Sequence, residues 1–150
     1  MKKLFTKIDL RWGYNNVRIK EEDKWKAVFT TPEGSIEPTV MFFGLTNSPA
    51  TFQAIMNELL RDLINTGKVV AFINDVIVGT ETEEGHDEIV AEVIRRLKEN
   101  DVYIKPEKNR WKVREVGFLR VVIELEGIKM EEEKVKDVLE WPILKCIKDV

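Results

Sequence analysis

Cysteine occurs once, at Cys146, and histidine once, at His86, so an internal disulfide framework is excluded and a cysteine-poor, reducing compartment is expected. An excess of positive charge is missing too. With 24 Lys and Arg against 27 Asp and Glu the net charge is −3, which argues against a strongly basic nucleic-acid binder. No stretch approaches the roughly 20 apolar residues of a membrane span. Lys2 and Lys3 precede an apolar stretch that Lys7 and Asp9 interrupt, unlike the continuous core of a signal peptide. Internal repeats and low-complexity segments are absent. These absences predict an intracellular protein, in cytoplasm or nucleus, without a membrane partner.

What remains is the composition of a globular domain: 150 residues, 43% hydrophobic and 34% charged, enough for one domain with a real core. Short strands are predicted at Phe5–Leu10, ending in Asp9, and at Asn16–Ile19, and a hairpin over 26–43 through Pro32-Glu33-Gly34. A helix starts at Asn47 or Ser48 with Pro49 in its first turn. Its stripe of Phe52, Ile55, Met56, Leu59, Leu60 and Leu63 packs on a core, and Gly67 ends it. A second helix, capped near Thr82 and stopping near Asn100, buries Ile89, Val90, Val93, Ile94 and Leu97. His86, near the acidic start of that helix, is expected to be exposed. Strand-like pieces follow at Val113–Ile123 and Ile128–Met130, then a short helix at Lys134–Leu139 stopped by Trp141-Pro142. Two main helices against an antiparallel sheet make an α+β two-layer arrangement.

Two segments carry chemistry. Between the helices, Val69–Gly79 reads as an apolar hairpin with Asn74-Asp75 at its tip. Asn and Asp tolerate the positive φ of tight turns, so the pair reads either as a good turn or as a metal-binding tip with an amide in one carboxylate position. From Lys105 to Arg114 five cations and one acid surround Trp111, which suits phosphate contacts and stacking, or equally a solvated surface strand.

The order of several segments resembles the palm of reverse transcriptases, above all the gypsy-like branch of LTR retrotransposons. The matching segments are Asp-Leu-Arg-Trp-Gly-Tyr at 9–14, Phe-Gly-Leu-Thr-Asn-Ser-Pro-Ala-Thr-Phe-Gln at 43–53, Phe-Ile-Asn-Asp at 72–75, Lys-Pro-Glu-Lys at 105–108 and Val-Gly-Phe-Leu at 116–119. The resemblance implies RNA-directed DNA polymerisation with two divalent metals, Mg²⁺ or Mn²⁺, gathered by carboxylates. Asp9 and Asp75 are then metal ligands, and Asn74 and Lys108 join them as catalytic positions, Lys108 as a proton donor to the departing pyrophosphate. Tyr14 stands beneath the incoming sugar, Phe43, Gly44 and Gln53 beneath template and nucleotide, and Phe118 and Leu119 at the primer end. Lys105, Arg110 and Lys112 are candidate phosphate contacts. The implied partners are an RNA or DNA template with primer, deoxynucleoside triphosphates, and the fingers, thumb and RNase H segments of a Pol protein. Within the chain, 26–43 would be fingers-like and 128–150 the start of the thumb.

Departures from the family pattern bear on activity. Asn74 replaces the first aspartate of the hairpin pair, keeping the shape and removing a charge. Phe72 replaces a tyrosine, Phe42 a proline, Asn109 a cysteine, and Arg120 stands in a turn position usually held by glycine. The chain starts just before the first aspartate and ends soon after the thumb would begin, so a weak hold on primer and template is expected. Three readings follow: an impaired polymerase domain, a non-catalytic nucleic-acid-binding or assembly module from a retroelement, or an unrelated α+β domain. Only the last places Asp9 far from Asp75.

Overall fold

The structure, a computed structural model, describes residues 3–141. Strand β1 (Leu4–Asp9) leads through two 3-10 turns, Gly13–Asn16 and Glu21–Ala27, to a small hairpin of β2 (Phe29–Thr31) and β3 (Gly34–Ile36). Helix α1 (Ser48–Leu59) continues into the single turn of α2 (Arg61–Asn65), and the hairpin of β4 (Val69–Phe72) and β5 (Asp75–Thr80) follows. Helix α3 (Glu83–Glu99), a 3-10 turn at Pro106–Lys108 and β6 (Arg110–Val113) come next. A meander of β7 (Val116–Phe118), β8 (Val121–Glu124) and β9 (Gly127–Met130) precedes α4 (Glu132–Leu139). Pro142 and Cys146 lie outside the described residues, as does the end of the 128–150 segment.

The central sheet has the antiparallel order β4-β5-β1-β6. Side chains alternate across a strand, so β1 and β5 sort their residues between two faces. Ile8, Leu10, Val76 and Val78 pack under α1 and α3 with Phe52, Met56, Leu60, Val90, Val93 and Leu97. Burying each such side chain stabilises the fold by roughly 1.5–3 kcal/mol. On the opposite face Phe5 and Ile77 meet Val116 and Phe118 of the meander. That face also carries Lys7, Asp9 and Asp75 further along, where the apolar cover stops.

Both helical stripes form, with local differences. Helix α1 ends at Leu60, where φ is −110°, yet Met56 O accepts from Leu60 N–H and Leu60 O from Ile64 N–H, so the packed face carries through into α2. Ile55 lies at the stripe's edge and is exposed. The expected hairpin over 26–43 shrinks to β2 and β3. Lys26 and Ala27 belong to a 3-10 turn, and beyond Ile36 only a bridge between Arg18 and Val40 persists. Pro38 has no N–H to give a longer ladder.

His86 is the clearest correction: it is fully buried rather than exposed. It lies four, seven and eleven residues before Val90, Val93 and Leu97, on the buried face of α3. Thr80 Oγ1 donates to Thr82 O (3.0 Å), so it accepts from His86 Nδ1–H (2.8 Å). With Nδ1 protonated, Nε2 of the neutral ring accepts from Thr6 Oγ1–H (2.7 Å), and Thr6 Oγ1 in turn accepts from Lys112 N–H (3.2 Å). Burial first, and Lys112 to a lesser extent, hold the imidazole below its ordinary 6.5 against the opposing pull of Asp87 and Glu83. Because the folded value lies below the unfolded one, this contribution is complete above about pH 6.5 and is lost as pH falls through the lower folded value. Melting temperatures should fall as pH drops below about 6.5, and a His86→Gln form should show little of that slope.

Candidate active site

The β4–β5 turn sits one residue earlier than expected. Phe72 pairs with Asp75, which makes Ile73 and Asn74 the two turn residues and Asp75 the first residue of β5. Ile73 takes φ 50°, a costly conformation for a β-branched residue. Its compensation comes from α1. Gln53 Nε2 donates to Ala71 O (2.9 Å), and Gln53 Oε1 accepts from Ile73 N–H (2.7 Å), so the amide extends the sheet edge like a short strand. Gln53 Nε2 also donates to Asn57 Oδ1 (2.8 Å), one turn along α1, which ties the amide to its own helix. Gln53→Leu should cost about 2–3 kcal/mol in chemical denaturation, since both backbone groups lose their partner, and should speed hydrogen exchange at Ile73.

Asp9 and Asp75 face each other across adjacent strands in the β1–β5 register. Directly opposed residues hold their Cβ atoms about 4.5–5.5 Å apart. The main chain of Asp9 is fixed on its other side: its N–H donates to Asn109 Oδ1 (2.9 Å) and its carbonyl accepts from Lys105 N–H (2.8 Å). Asn109, noted in the sequence only as a departure, is thus a buried clamp on Asp9; a side-chain-to-backbone bond across 100 residues leaves no periodic signal. Asp75 Oδ2 is paired with Lys7 Nζ at 3.0 Å.

Asn74 turns its Oδ1 away from solvent, with no hydrogen-bond partner. A Cβ at Gly13 would collide with that oxygen and come within 2.7 Å of Phe52 Cζ, so the close approach of the tip to the loop after β1 requires glycine there. Tyr14, beside it, is buried and meets Phe43 and Phe52 edge to face, with centroids 4.9 and 5.7 Å away. Phe43 itself is 70% exposed, and Gly44 takes φ 106°.

The remaining positions lie around this tip. Phe118 is buried on Phe5 and Ile77, whereas Leu119 is exposed at the two-residue turn of β7–β8. Leu119 and Arg120 take φ 50° and 69°, so the arginine does occupy a position that favours glycine. Lys105 is half-buried; Lys108 and Arg110 are exposed. Lys112 is spent on α3, at 2.8 Å from Asp87 and 3.0 Å from Glu83, and these carboxylates raise its pKa.

Residues 1–123 match the family model described as reverse transcriptase (RNA-dependent DNA polymerase). The chain belongs to the reverse transcriptase family. It is 32% identical over 146 residues to the retrovirus-related Pol polyprotein from transposon gypsy of Drosophila melanogaster, covering 97% of the chain and 14% of that protein. To the Pol polyprotein from transposon opus of the same organism it is 33% identical over 149 residues, 99% of the chain and 15% of the relative. The chain therefore spans about a seventh of the length of these relatives. Among solved structures, a foamy viral protease-reverse transcriptase in complex with RNA/DNA hybrid superimposes with a TM-score of 0.87 at 26% identity, over 98% of this chain and 20% of that one. A second foamy viral protein, solved with double-stranded DNA, gives 0.88 at 26%, over 99% of the chain and 26% of that one. The fold is accordingly that of a reverse transcriptase palm, and the chain is a reverse transcriptase domain of a retroelement.

Reverse transcriptases generally use a divalent metal, and the donors at the tip can be tested against one. Asp9 and Asp75 offer hard, charged oxygens on facing strands, which fit a hard divalent cation. The third oxygen is Asn74 Oδ1, neutral and turned to Gly13 and Phe52. Among the described residues, no group of three or more His, Cys, Asp or Glu side chains is placed to hold a metal. The tip thus offers two carboxylates and one neutral amide oxygen to a cation. No helix among the described residues is long and apolar enough to cross a membrane.

Proposed function

We propose that this domain is the catalytic palm of an RNA-directed DNA polymerase whose activity Asn74 has reduced severely. The observation that carries the reading is the facing of Asp9 and Asp75 across β1 and β5, with the neutral Asn74 next to Asp75 at the hairpin tip. Asp9 and Asp75 would hold Mg²⁺, with Mn²⁺ as a substitute. A bound pair of such ions would activate the primer 3′ hydroxyl and steady the triphosphate. The chain's own residues do the rest. Tyr14, fixed between Phe43 and Phe52, forms a wall under the incoming sugar. Lys108, exposed on the turn that clamps Asp9, delivers a proton to the leaving pyrophosphate. Leu119 and Phe118 support the primer end, while Lys105 and Arg110 meet phosphates. Gln53 acts on this site through the hairpin backbone rather than on the substrate.

The partners of this reading are a primed RNA or DNA template, deoxynucleoside triphosphates and the fingers, thumb and RNase H segments of a Pol protein acting inside the cell. Residues 26–43 would contribute to the fingers, and residues from 128 onward would open the thumb.

The neutral Asn74 and the Lys7–Asp75 pair also favour a second reading, a non-catalytic module that binds nucleic acid or assembles with other Pol segments. Primer extension with those segments supplied separates the two. Incorporation that rises on Asn74→Asp supports the impaired enzyme. No incorporation by either form, with a salt-dependent shift of primer-template duplex lost on charge reversal at Lys108 and Arg110, supports the binding module.

A further inference from the structure

One ammonium group occupies the face on which the two carboxylates stand. Lys7 lies two residues before Asp9 on β1, and its partner in the register is Ile77, two residues after Asp75. All four side chains project to the same side of the sheet. Lys7 Nζ lies 3.0 Å from Asp75 Oδ2 and donates to Gly117 O at 3.2 Å, on strand β7. Both side chains of the ion pair are mostly buried, 22% and 25% exposed, so bulk water screens it less than a surface pair. The contact spans two elements, the Asp75 end of β5 and strand β7, which leads into the turn at Leu119.

We propose that Lys7 is a positioning residue: its ammonium holds Asp75 against the β7–β8 hairpin and competes with a divalent cation for that carboxylate. The inference rests on the reading of Asp9 and Asp75 as the cation site. Asp9, Asp75 and Lys7 together leave one net negative charge, against three negative charges for a site with a carboxylate at 74 and no lysine. A divalent ion that approaches Asp75 therefore meets a fixed positive charge at ion-pair distance, and binding requires Lys7 to swing off. When it does, Gly117 O loses its donor. Cation binding and the seating of the β7–β8 hairpin are in this way linked through one side chain.

Mn²⁺ titration followed by electron paramagnetic resonance tests this on the full chain and on its Lys7→Met, Lys7→Arg and Asp9→Asn forms. Lys7→Met should tighten Mn²⁺ on the order of tenfold while Lys7→Arg stays within about twofold of the parent, because only the first removes the charge. Unchanged or weaker binding in Lys7→Met, with Asp9→Asn still abolishing it, overturns the role of Lys7 and leaves the carboxylate site standing. Binding that survives Asp9→Asn, or no binding in any form, overturns the site itself and the proposal with it. A measurement on the unaltered chain stands should Lys7→Met fail to fold. During Mg²⁺ titration the Lys7 Nζ nitrogen resonance should move with the Gly117 and Asp75 signals. A stationary Lys7 resonance while Asp9 and Asp75 respond contradicts the proposal.

Discussion

Asn74→Asp should raise primer extension on the order of a thousandfold when the other Pol segments are supplied, the equivalent of about 4 kcal/mol of transition-state stabilisation. The same change should make stability depend on metal. Without a divalent ion, a new carboxylate stands beside Asp75 and close to Asp9, or else is buried against Gly13 and Phe52, where Asn74 Oδ1 now has no partner. Either placement is unfavourable, one through like charge and the other through desolvation. Metal-free Asn74→Asp should therefore melt below the parent, and millimolar Mg²⁺ should raise its melting temperature more than the parent's. The charge-neutral Asn74→Ser should show neither effect. An Asn74→Asp form whose stability ignores Mg²⁺ would mean that position 74 does not face a metal.

Phe52→Ala should be the most damaging single change to the fold. Its ring is fully buried, stands edge-on to Tyr14 at 5.7 Å and 88°, and closes the space that a side chain at Gly13 would need. Truncating such a ring costs about 3–5 kcal/mol, a large part of the roughly 5–15 kcal/mol that holds a domain together. Chemical denaturation should show this loss, while Ile55→Ala, three residues further along α1 and exposed, should cost less than about 1 kcal/mol. The two substitutions separate the stripe's centre from its edge. Loss of Phe52 should also free Tyr14 and the Asn74 amide, so a Phe52→Leu form that keeps most of the stability is expected to bind nucleotide more weakly.

The parts of this fold that repeat with a local period were legible in the sequence. The short strand ending at Asp9, the apolar hairpin of 69–79 and the stripes of α1 and α3 put Asp9 at a strand end and the 74–75 pair at a hairpin tip, and the order of motifs joins them. What escaped was decided by single long-range contacts. Turn preference favoured Asn74-Asp75, yet the turn falls on Ile73-Asn74 because Gln53 supports the strained isoleucine from a helix 20 residues upstream. His86 sits at the right interval to continue the buried stripe, but its polarity and acidic neighbours suggested solvent. Two threonine hydroxyls from β1 and β5 satisfy it instead. The basic segment 105–114 read as one patch, whereas Lys112 turns to the acids of α3 and leaves Lys108 and Arg110 outward. Lys7 carried no signal at all, since a lysine in a strand is ordinary until its partner across the sheet is known.

Everything about the activity returns to whether Asp9 and Asp75 share a cation. Anomalous diffraction from crystals of the chain soaked in Mn²⁺ measures this directly. The expected result is a single manganese peak between the carboxylates of Asp9 and Asp75 at high Mn²⁺, joined by a second peak in Asn74→Asp about 4 Å away. Manganese bound elsewhere, with the Asp9–Asp75 position empty in both forms, would contradict the account.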